Sequence, residues 1–83
     1  MNKLKYGLLV VDWNGAARES DLKFPTINNA WNYYKHTDIF KSSYVKMIIC
    51  KDKVISSEYP FDYLIGKTTR EAIEVIRGKL KKK

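Results

Sequence analysis

The chain has one cysteine, one histidine and two prolines in 83 residues. The solitary Cys50 excludes an internal disulfide, and inside the apolar run VKMIIC it reads as a small core residue rather than a reactive thiol. His36 has no second histidine or nearby cysteine in ligand spacing, so no metal site is predicted, and it reads as a surface residue ending a helix. Pro25 and Pro60 each stand where an extended run stops. The longest apolar run, residues 8–11, is far too short for a bilayer span, and no targeting signal opens the chain. Together these absences imply a cytoplasmic protein. Arginine is also scarce, three against thirteen lysines, which disfavours bidentate recognition of bases or phosphates and leaves a point-charge, sequence-tolerant attraction.

What is present is enough apolar material for one core. Hydrophobic residues make up 45% and aromatics 13%, outside the range of disordered chains, and the length allows a single domain. The net charge of +7 is unevenly placed. Residues 1–66 carry nine basic and seven acidic side chains, whereas residues 67–83 carry seven and two, so the basicity belongs to the C-terminal segment.

Asn14-Gly15 between two extended stretches predicts a hairpin with a two-residue type I′ turn. That loop sets Val11 opposite Arg18 and Leu9 opposite Ser20, and places Leu9, Val11, Trp13, Leu22 and Phe24 on one face. Asp12 then reads as a turn-flanking carboxylate. Thr26 is placed to cap a helix over residues 27–35, whose Ile27, Ala30, Trp31 and Tyr34 recur at helical spacing. SYVKMIIC and VISSEY read as two strands joined by a tight KDK turn. Thr68 with Glu71 fits a capping box, and Ala72, Ile73, Ile76 and Leu80 mark a second helix over residues 69–80. Residues 61–67 carry no clear pattern. The order is ββαββα, and the simplest architecture is an α+β two-layer sandwich: a four-stranded, mainly antiparallel sheet with both helices on one face. The domain is placed at residues 1–78, followed by a basic tail at 79–83.

No catalytic constellation emerges. VDWNG has a likeness to the acidic-Gly motif of LAGLIDADG homing endonucleases, but Leu9 stands where that motif has Gly and Asn14 where it has its metal-binding acid. GKTT, residues 66–69, contains the end of a phosphate-binding loop, but Phe61 replaces the first glycine, so the segment reads as a turn into a helix. The nine acidic residues are scattered over turns, edges and a helix face, with no pair set for general acid and base work. The expectation is a non-enzymatic protein without cofactor, metal or small-molecule substrate.

Two binding roles remain. In the first, Lys67, Arg70, Arg77, Lys79, Lys81, Lys82 and Lys83 attract nucleic acid without sequence preference. Tyr6, Trp13, Tyr44 and Tyr59 are candidates for base stacking, although strand aromatics usually pack. In the second, the protein is an adaptor or inhibitor, or a homodimer, that uses the sheet or its edge. The first and third strands are apolar on both sides, so with both helices on one face Tyr6, Leu8, Val10, Tyr44 and Ile48 form an exposed interface. The alternative is that residues 61–67 fold across that face.

Overall fold

The computed structural model describes residues 4–37 and 43–81. Strands β1 (Tyr6–Asp12) and β2 (Ala17–Phe24) form the first hairpin, α1 (Ile27–Lys35) follows, β3 (Ser43–Cys50) and β4 (Lys53–Ser57) form the second hairpin, and α2 (Thr69–Lys81) closes the chain. The sheet is antiparallel throughout, in the order β2-β1-β3-β4. The α+β class and the ββαββα order are those implied by the sequence.

The helices differ from expectation: they cover opposite faces of the sheet. Ala30 and Tyr34 of α1 pack on Leu8, Val10 and Ile48, whereas Ala72 and Ile76 of α2 pack on Leu9, Val11, Val45, Met47 and Ile49. Successive strand residues point to opposite sides. Strand β1 is apolar and buried at every position from Gly7 to Val11, and β3 is buried at Val45 and from Met47 to Ile49, so the two central strands need cover on both sides, and one helix supplies each. A layer holding both helices would have left Leu8, Val10 and Ile48 in water.

The first hairpin closes through three residues rather than two. Gly15 N–H donates to the Asp12 carbonyl at 2.9 Å, and Asp12 N–H donates to the Ala16 carbonyl at 3.0 Å. Gly15 alone in this loop takes positive φ, +86°, the geometry of a type I turn followed by a glycine bulge. Asp12 selects it: its Oδ1 accepts the N–H groups of Asn14 at 2.9 Å and Ala16 at 3.0 Å. The pairing consequently slips by one residue from the expected register, to Val11↔Ala17, Val10↔Arg18 and Leu9↔Glu19, and shifts again between Gly7 and Leu9. Phe24 lands opposite Tyr6 and packs on the α1 side, 5.4 Å from Tyr33. The two-residue loop occurs in the second hairpin instead, where Lys51 and Asp52 both have positive φ.

Thr26 caps α1 as its sequence implies, its hydroxyl accepting Asn29 N–H at 3.1 Å. Residues 61–67 also find a place. They include a single 3₁₀ turn, Asp62–Leu64, and bury Phe61 and Leu64 in the core on the α2 side, not across the face of Leu8 and Val10. Gly66 and Lys67 then hydrogen-bond to the outer edge of β4, through Gly66 N–H to Val54 O and Val54 N–H to Lys67 O, both at 2.8 Å.

Candidate nucleic-acid interface

The placement of α2 is set at its two ends, by the tips of the two hairpins. At its start, Thr69 donates its hydroxyl to Asp52 Oδ1 at 2.7 Å and its N–H to Asp52 O at 2.9 Å, which ties the helix to the β3–β4 turn. The predicted capping box forms beside it: Thr68 N–H reaches Glu71 Oε1 at 3.1 Å, and Glu71 N–H reaches Thr68 Oγ1 at 3.2 Å. These bonds from Thr68 hold the Glu71 carboxyl below its ordinary pKa. Two turns later, Arg77 Nε donates to Gly15 O at 2.7 Å, which ties the helix to the β1–β2 turn. Because β1 and β3 run antiparallel, those turns lie at opposite ends of the sheet, and α2 spans the distance between them.

This arrangement displays most of the basic residues singled out in the sequence. Arg70, Arg77, Lys79 and Lys81 are exposed, and Lys67 is half-buried beside β4. At 3.6 residues per turn, Arg70, Arg77 and Lys81 share one flank of α2, and Lys79 lies on the other. Glu74 interrupts the first flank, its Oε2 3.9 Å from Arg70 Nε. The expected boundary between domain and tail at residue 79 is absent, because α2 continues through Lys81 and Leu80 packs against the core. Lys82 and Lys83 lie outside the described residues.

Aromatic side chains gather at the same end of the molecule. The slipped register puts Trp13 in the hairpin loop, 61% exposed, instead of on a sheet face. Its ring meets Tyr44 at 4.5 Å between centroids, Tyr44 meets the buried Phe61 at 5.3 Å, and Phe61 meets the exposed Tyr63 at 6.2 Å. Lys79 Nζ lies 5.4 Å above the Tyr63 ring. At the other end of the row, Trp13, Arg77, Leu80 and Lys81 border a shallow cleft of ≈ 240 Å³ that also takes in Asn14 and Gly15. Sequence reading found Trp13 and Tyr44 as aromatics but had no way to set them beside α2, and it missed Tyr63 because residues 61–67 lack periodicity. Tyr59 is 86% exposed, and Tyr6 is half-buried on the α1 side.

The expected apolar interface does not form. Leu8, Val10 and Ile48 are almost completely buried beneath α1, Tyr6 packs against the same cluster, and Tyr44 belongs to the opposite face. A β-bulge explains the last point: β3 pairs Val45 with Val11 but Ser43 with Asp12, so Tyr44 is the extra residue.

A second, larger cleft of ≈ 620 Å³ opens on the α1 side between Trp31, Tyr34 and Lys35 on one side and the strand residues Lys46, Ser56 and Ser57 with the following Glu58 on the other. Trp31 Nε1 donates to Ser56 Oγ at 2.9 Å, and Glu58 accepts Lys46 N–H at 3.0 Å while its other oxygen lies 3.7 Å from Lys46 Nζ. Tyr34 spans the sheet surface, its hydroxyl directed at the carbonyls of Met47 at 3.0 Å and Leu9 at 3.3 Å, and burial pushes its pKa upward. Sequence reading missed this cleft; its signal was the polar run Ser56-Ser57-Glu58, which ends β4 and follows it.

His36 is exposed at the C-terminal cap of α1, and Cys50 is free and half-buried at the end of β3. Among the described residues no three His, Cys, Asp or Glu side chains group to hold a metal ion, and no helix is long and apolar enough to cross a membrane. The class defined so far is a small antiparallel α+β domain with a basic helix crossing one sheet face. No protein family, curated protein or solved structure matches the chain.

Proposed function

We propose that this protein is a non-enzymatic, nucleic-acid-associating module that binds through α2 and the lysines following it. The observation that carries this reading is the exposure of Arg70, Arg77, Lys79 and Lys81 along α2, within a segment of net charge +5. Each of these cations that meets a phosphate releases counterions. Lysine predominance makes the contacts tolerant of sequence.

The test is a salt titration. Deleting residues 79–83 is unsuitable, because it removes the packed Leu80 and part of α2. Neutralising Lys81, Lys82 and Lys83 to Gln keeps the helix. For duplex DNA the slope of log affinity against log salt falls by up to about 0.9 for each phosphate that no longer meets a cation. Unchanged affinity and slope in this triple variant would refute the assignment.

A second reading, a protein-binding adaptor, rests on β2. Among the described residues no strand pairs with its outer edge, and Leu22 on it is 47% exposed. An extended partner segment could add there by main-chain hydrogen bonding, although Arg18, Glu19, Asp21 and Lys23 on the same strand discourage indiscriminate pairing. Recovery of one protein from the host after nuclease treatment, abolished in a Leu22→Pro variant that still folds, supports this reading.

A further inference from the structure

We propose that the nucleic acid bound at the C-terminal end of α2 is single-stranded, with unpaired bases stacked on Trp13 and Tyr63. The inference rests on the reading of α2 as a nucleic-acid surface and names the kind of nucleic acid it takes. A duplex presents phosphates and groove edges but keeps its base faces stacked inside, so an exposed ring contributes little to holding it. Single strands offer both phosphates and ring faces, and their sites interleave cations with aromatic platforms.

That interleaving is present here. Trp13 is 61% exposed at the hairpin tip, beside Arg77 and Lys81 in one cleft. Tyr63 is 48% exposed with Lys79 over its ring. The two rings are joined through Tyr44 and Phe61, with successive centroids 4.5, 5.3 and 6.2 Å apart, and Phe61 is only 7% exposed. Each exposed ring is thus braced from behind by another, which limits the side-chain entropy given up when a base stacks upon it. The loop that carries Trp13 is held as well, by two amides on the Asp12 carboxylate and by Arg77 on the Gly15 carbonyl. Both platforms are preorganised, and the cations next to them come from one helix.

The alternative occupant for exposed Trp and Tyr beside lysines is an anionic lipid surface. The residues between the two rings oppose it: Tyr44 is half-buried and Phe61 is buried, so the aromatics form two separated platforms and not one apolar face that could enter a headgroup layer.

The experiment uses the full chain carrying Trp31→Phe, so that tryptophan fluorescence reports Trp13 alone. Three probes are titrated: a dT oligomer of about twelve nucleotides, within the ~4–16 of a typical single-strand site, a duplex of the same length, and vesicles containing phosphatidylserine. The expected result is quenching of Trp13 by the oligomer, with affinity higher than for the duplex. Trp13→Ala and Tyr63→Ala, each checked for a native melting curve, should weaken oligomer binding about tenfold, the scale of one base stack, and leave duplex binding nearly unchanged. Equal affinity for both nucleic acids, with no effect of Trp13→Ala, overturns the single-strand inference and leaves α2 as a general phosphate-binding surface. Binding of neither nucleic acid refutes the underlying reading, and blue-shifted Trp13 emission on vesicles without response to the oligomer assigns the platforms to lipid.

Discussion

Arg77 Nε donates to the carbonyl oxygen of Gly15 at 2.7 Å, a hydrogen bond between residues 62 positions apart in sequence that fastens the end of α2 to the tip of the first hairpin. Removing it by Arg77→Ala should lower stability by ~1–2 kcal/mol, a charged hydrogen bond discounted for partial exposure, or about 4–15 °C in melting temperature for a domain of this size. Arg77→Lys keeps the charge but lacks the fixed Nε donor, so it should recover less than half of that stability in thermal melts.

In the hairpin loop, substitution should cost more at Gly15 than at Asp12. Gly15→Val forces a β-branched side chain into φ +86° and should cost ~2 kcal/mol or more. Asp12→Asn retains the Oδ1 acceptor and should be close to wild type, whereas Asp12→Ala leaves two amides without it and should cost ~1 kcal/mol. Chemical denaturation of the three variants checks the order.

Leu8→Lys should unfold the protein, because Leu8 is 1% exposed beneath α1 and a buried ammonium there has no partner. Leu22→Lys, on an exposed strand position, should leave a native circular dichroism spectrum. A folded Leu8→Lys monomer would contradict the placement of α1 over this face.

Two groups give opposite pH dependences. Glu71 has a folded-state pKa below its ordinary 4.5, so its capping bond to Thr68 contributes above that pH and is lost as pH falls through the lower folded value. The melting-temperature difference between wild type and Glu71→Gln should therefore close on acidification. Tyr34 has a raised pKa through burial, so the stability tied to its neutral hydroxyl is complete below the ordinary value of 10.0 and declines as pH rises beyond it. Tyr34→Phe should flatten that alkaline decline.

Local patterns in this chain are legible directly. The span of α1, its Thr26 cap and the capping box of Thr68 and Glu71 follow from neighbouring residues, because the interactions that create them reach no further than four positions along the chain, and the extent of β3 is legible from its β-branched and aromatic composition although its ladder partners lie far away in sequence. The hairpin at Asn14-Gly15 is legible as a hairpin, but its loop length is not. A single carboxylate at Asp12, by binding two amides, tips the choice from two residues to three and reverses the facing of β2.

By itself, then, the sequence determined the number and order of the elements, the apolar character of both sides of β1 and β3, and the concentration of positive charge after residue 66. Tertiary structure alone decided which helix covers which face, that Leu8, Val10 and Ile48 are core and not interface, and that Trp13 and Tyr63 stand beside Arg77 and Lys79. The reason is that helical and strand periodicity encode what must be buried but not against what. The partner of each apolar face is chosen by the packing of the whole chain, and only that packing brings residues 62 positions apart into one site.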